Sequence, residues 1–147
     1  MDELEQFKDW WLANRVMNTP MNGALNFVAD THGVVLYRHD NYQVELFIVK
    51  PNSEIKPHIH PNVDSFEVFV SGDINFMCND EWFDQNIIGA SIRVKPNSWH
   101  GGLFGPQGGC FISVQQWLND TSPSFVGNDW HDKENKISYK ESADNAS

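Results

Sequence analysis

The first stretch of the chain has a helical period. Leu4, Phe7 and Trp11 recur at spacings of three and four, and Asp2, Glu3 and Glu5 crowd the first turn. Apolar residues so spaced share one face of an α-helix, and acidic side chains near its start meet the positive end of the helix dipole. The pattern predicts a helix over residues 2–14, whose apolar face either covers its own domain or is buried against a second copy. Pro20, Gly23 and Gly33 then break regular patterns, leaving residues 15–33 as an irregular arm with at most a short strand near Leu25–Val28.

From Val34 the pattern becomes that of strands. Val34–Tyr37 and Tyr42–Val49 flank His39-Asp40-Asn41, a hairpin turn. Further strand candidates are Ile55–His60, Phe66–Val70, Ile74–Met77, Trp82–Phe83, Ile92–Lys95 and Phe111–Leu118. Breakers separate them at Pro51-Asn52-Ser53, Pro61-Asn62, Gly72-Asp73, Asn79-Asp80-Glu81 and Pro96-Asn97. Short strands with near-regular turns, and no long helix between them, predict an all-β antiparallel barrel or sandwich. From His131 to Ser147 the chain is polar and reads as a solvated tail.

Composition narrows the function classes. The 147 residues suit one domain with a core of its own. Ten basic against twenty acidic residues give a formal charge of −10, which argues against nucleic acid or an anionic membrane as partner and favours simple solubility. The acidic start lacks the basic and apolar features of a secretory leader, and no apolar run has the length of a membrane span. Cys78 and Cys110 form no C-x-x-C pair, so reduced thiols and a cytoplasmic location are expected.

Candidate chemistry centres on Pro57-His58-Ile59-His60-Pro61. Residues two apart on a strand point the same way, so His58 and His60 share a face and both can reach one metal ion. Two prolines stiffen the backbone around the pair. A third candidate, His100, follows the turn at Pro96-Asn97-Ser98, and the acidic residues Asp64 and Glu67 follow the pair closely.

With these residues the chain resembles the cupin superfamily. Its first motif places H-x-H ahead of a glutamate and then a glycine, matched here by His58, His60 and Gly72. Its second motif runs from a glycine through a proline to a histidine, similar to Gly89, Pro96 and His100, although one residue is missing between Pro96 and His100. The resemblance covers about residues 34–118 and implies an antiparallel cupin barrel, the double-stranded β-helix or jelly roll, with the N-terminal helix outside it. Residues 1–33 are then an N-terminal arm and 119–147 a polar extension. It implies a divalent metal ion (Fe, Mn, Ni or Zn) held by His58, His60 and His100, and a homodimer. Ser65 stands at the usual glutamate position. Glu67 should share its face and Asp64 should not, unless a bulge intervenes. The carboxylate is therefore Glu67, as fourth ligand or as a base near the metal, or the site is three-histidine.

Around the ion, Trp99, Arg93, Gln115 and Trp117 are candidate substrate contacts, with Ser113, Glu45, Phe47 and Phe76 lining the cavity. Two functions follow. One is a metal-dependent enzyme of dioxygenase, isomerase or lyase type acting on a small polar molecule. The other is a non-catalytic barrel that binds a small molecule, such as a carbohydrate, or serves assembly.

Overall fold

The structure, a computed structural model, describes residues 1–19, 25–28, 30–119 and 126–127. Helix α1 spans Glu3–Asn14. Asp2 caps it, its carboxylate accepting from the Glu5 amide at 2.9 Å. This satisfies one of the donors a helix start leaves open. The helix stops at Arg15, which adopts the left-handed conformation (φ 51°) and returns its N–H to the Trp11 carbonyl.

Nine strands follow among the described residues: β1 Leu25–Val28, β2 Thr31–His39, β3 Tyr42–Val49, β4 Ser53–Ile59, β5 Val63–Cys78, β6 Glu81–Gln85, β7 Ser91–Val94, β8 His100–Trp117 and β9 Val126–Gly127. All pairings are antiparallel. Strand order is β1-β2-β3-β8-β4-β9, and β5 pairs with β6, β7 and β8. The hub is β8. Its second half lies between β3 and β5, and its first half between β4 and β5.

Directly opposed residues share a face of the sheet. One face carries Gln43, Glu45, Ser65, Glu67, Ser113 and Gln115; the other carries Val44, Phe66, Val68 and Val114. This second face packs against α1, where Leu4 and Trp11 are only 1% and 2% exposed. The helix thus covers its own barrel, so its apolar face offers no surface for a second copy. On the inner face, Phe69, Ile74, Phe76, Phe104 and Phe111 form a second apolar cluster.

Two strands run far past a predicted break or start. Strand β5 runs through Gly72-Asp73, expected to be a turn, and β8 starts eleven residues before Phe111 (111 − 100 = 11). Both bend at glycines. Gly72 has φ +96°, and a Cβ there would lie 2.3 Å from the Gly108 carbonyl oxygen. The two strands therefore kink together, with register shifts at Phe69/Ser71 and Gly72/Ile74, instead of ending. Pairing also begins earlier than residue 34, because β1 and β2 form a hairpin in the expected arm. The polar tail from His131 lies outside the described residues. Cys78 and Cys110 are free thiols. Among the described residues no helix is long and apolar enough to cross a membrane.

Candidate metal centre

His58 lies near the end of β4, His60 just beyond it, and His100 opens β8. In the β4–β8 ladder His58 stands directly opposite His100. One ligand atom from each of the three imidazoles falls within 4.8 Å of the others, the only such cluster among the described residues. The ring centroids are 4.3 Å apart for His58 and His100, 4.9 Å for His58 and His60, and 5.1 Å for His60 and His100.

Backbone carbonyls orient two of the rings. Nδ1 of His58 is 2.7 Å from the Lys56 carbonyl oxygen, and Nδ1 of His100 is 3.0 Å from that of Ser98. A carbonyl only accepts, so each Nδ1 carries the proton and each Nε2 the lone pair that a metal needs. The loop before His100 is tied to the first pair, since the Asn97 amide donates to the His60 carbonyl at 3.1 Å. Asn97 makes that turn with φ 65°. Phe76, its ring centroid 6.4 Å from that of His100, forms an apolar wall.

The three residues fit a divalent ion. With bonds of about 2.0–2.1 Å, two ligands of one ion sit about 3–3.5 Å apart, which small side-chain rotations reach from the observed spread. Three neutral imidazoles suit Zn, Fe, Ni or Mn, and leave coordination positions open.

Glu67 lies outside this cluster. Its Oε1 accepts from Ser65 Oγ at 3.3 Å and from Ser113 Oγ at 3.2 Å. Its Oε2 is sealed from solvent without a hydrogen-bond partner among the described residues. Burial pushes the carboxyl up to about 7, against the opposing pull of the two hydroxyls. A cavity of about 10 Å³ beside it is walled by Phe69, Phe76, Gln85 and Phe111.

Asp64 faces the other way. Its two oxygens take Arg93 in a bidentate pair, both at 2.7 Å. Arg93 also reaches Asp2 at 2.8 Å, and its guanidinium lies 4.7 Å from the Phe66 ring centroid. The expectation that Arg93 contacts substrate is therefore corrected: opposite Phe66 in the β5–β7 ladder, it faces the helix side and fastens α1 to β5.

Gln115 and Trp117 are buried in a polar layer. The Trp117 indole N–H donates to Gln115 Oε1 at 2.9 Å, and Gln115 Nε2 donates to Ser113 Oγ at 3.1 Å and Glu45 Oε1 at 3.5 Å. Arg38 covers the Trp117 ring at 4.1 Å. Gln43 belongs to the same layer, 1% exposed and donating to Gln115 Oε1 at 3.3 Å. It was not among the expected residues, although its two-residue spacing from Glu45 signalled the shared face. Trp99 is 44% exposed, its carbonyl accepting from the Asn79 amide. Phe47 stacks on Phe111 with centroids 5.2 Å apart.

The antiparallel barrel defines a fold class, and solved structures share that fold. KdgF from Halomonas sp. superposes with a TM-score of 0.59 at 13% identity, covering 65% of this chain and 87% of that one. An RmlC-like cupin from Shewanella frigidimarina gives 0.60 at 15% identity, covering 70% and 91%. A predicted oxalate decarboxylase from Thermotoga maritima gives 0.59 at 14% identity, covering 69% and 100%. The chain has the cupin fold. No family model matches the sequence, and no curated protein matches it.

Proposed function

We propose that this chain is a metal-dependent cupin that binds, and acts on, a small polar molecule through an ion held by His58, His60 and His100. The observation that carries the reading is the convergence of three imidazoles, two of them with Nδ1 engaged by a backbone carbonyl. When bound, the ion supplies a Lewis acid with open positions for an oxygen of the ligand. Three neutral ligands leave its +2 charge uncompensated, which favours a ligand with an anionic or chelating oxygen. The overall charge of −10 disfavours polyanions.

The chain's own residues do the rest. Gln43, Ser65, Ser113, Gln115 and Trp117 form with Glu67 a buried hydrogen-bonded layer on the inner face. Glu67 is the residue placed to hold or release a proton near neutral pH. A non-catalytic binding or assembly module is the second reading, favoured by Ser65 at the position where the resemblance places a carboxylate ligand.

Metal analysis tests the first reading. Purified protein should carry near one divalent ion per chain, and His60→Ala should lose it while its circular-dichroism spectrum stays that of the barrel. Affinity should fall on acidification, because protonated imidazole cannot coordinate. A His60→Ala protein that keeps full occupancy would show the site to be elsewhere. Stoichiometric metal without turnover of any small carboxylate, keto or hydroxy compound would favour the binding module.

A further inference from the structure

Strand β4 changes phase just before the site. Ile55 opposes Gly102 and His58 opposes His100, so three steps along β4 match two along β8. Lys56 and Pro57 together face the single residue Gly101, which is the arrangement of a β-bulge. Residues 100 and 102 are two apart on β8 and share a face, so Ile55 and His58 share it too. In a regular strand, residues three apart would point to opposite faces. Ile55 packs into the inner apolar cluster with Phe76 and Phe104. The extra residue is thus what turns His58, and with it His60, toward the interior.

Gly101 seats this bulge. A Cβ there would lie 2.5 Å from the Ile55 carbonyl oxygen, 3.1 Å from the Pro57 nitrogen and 3.2 Å from the Lys56 carbonyl carbon. All three are backbone atoms, which cannot swing away as a side chain tip can. Pro57 suits the place, since a bulge residue need not donate to the ladder. The Lys56 carbonyl, part of the bulge itself, is the one that receives His58 Nδ1.

We infer that the Lys56-Pro57 bulge, seated on Gly101, is the device that aims His58 and His60 at the ion, and that Gly101 is a positioning residue for the metal centre. The inference rests on the three-histidine reading. Gly101→Ala should push β4 away, tilt His58 from the Lys56 carbonyl and separate its Nε2 from that of His100. Loss of such outer support typically costs about 10–100-fold in metal affinity.

The test is Co²⁺ titration of chelator-treated wild type, His60→Ala and Gly101→Ala, followed by visible absorption, with thermal unfolding of each metal-free protein alongside. Support is a folded Gly101→Ala protein whose Co²⁺ affinity falls tenfold or more and whose absorption bands shift. Wild-type affinity and bands in Gly101→Ala overturn the inference and leave the three-histidine reading standing. Wild type that binds Co²⁺ no better than His60→Ala overturns both. The metal-free wild type gives a readout that needs no substitution: at about pH 8, imidazole ¹⁵N shifts should place the His58 proton on Nδ1. If Gly101→Ala does not fold, that measurement decides alone, and a His58 proton on Nε2 overturns the inference.

Discussion

A carboxyl group cut off from water keeps its proton to higher pH, and Glu67 is such a group, raised from its ordinary 4.5 to about 7 by burial. The sign of its effect on stability follows. Because the folded-state value lies above the unfolded one, its contribution is fully present below pH 4.5 and is lost as pH climbs through about 7. Glu67→Gln, neutral at every pH, should therefore flatten the decline of unfolding free energy between those values. Equal pH profiles for the two proteins would refute this. Since Glu67 lies outside the histidine cluster, the variant should also keep its metal; a fall in affinity would make the carboxylate a ligand after all. At this scale the sequence was readable where a rule needed only neighbours. His58 and His60 share a face because they are two apart, and Asp64 and Glu67 oppose each other because they are three apart. The face of Arg93 depends on its pairing with Phe66 across β5 and β7, and no local pattern shows that.

Helix α1 is held by an apolar seam, by the Asp2–Arg93–Asp64 chain of charges, and by Glu3, whose carboxylate accepts from Tyr42 and Gln116. Leu4→Ala or Trp11→Ala opens a cavity in that seam and should cost about 2–5 kcal/mol in denaturant unfolding. A loss below about 1 kcal/mol would mean that the helix is loosely docked, because even partial relaxation rarely recovers that much. Asp2→Ala removes both the cap and a partner of Arg93. The Glu5 amide and Arg93 hold the Asp2 carboxyl below its ordinary 3.8. Its contribution is accordingly present above that value and disappears on acidification, so the unfolding midpoints of wild type and Asp2→Ala should converge toward pH 2; a constant gap would count against it. Strands bounded by clear turn residues were legible: Tyr42–Val49, between His39-Asp40-Asn41 and Pro51-Asn52, was read with the bounds it has. Those that bend at glycine were not. Gly101, Gly102, Gly105, Gly108 and Gly109 have no side chains to alternate, so the first half of β8 looked like loop.

For the whole molecule, the fold was legible from the spacing of short strands with the two motifs, while the hub position of β8 was not, because long-range pairing leaves no local trace. The homodimer implied by the cupin resemblance should appear in light scattering at twice the 16.8 kDa chain mass; a value near one chain would end it. Its surface must be other than the α1 face, which is spent on the barrel. The pairing of β4 with β8 carries a larger consequence. Between His60 and His100 lie forty steps of chain (100 − 60 = 40) that include all of β5, β6 and β7. An ion gripping both ends works as a removable crosslink, and at a free concentration one hundred times its dissociation constant it adds about 2.7 kcal/mol to stability. Chelator should lower the melting temperature of wild type and leave that of His60→Ala in place. Hydrogen exchange in the chelated protein should quicken first along β4, the strand that the ion stitches to its neighbour.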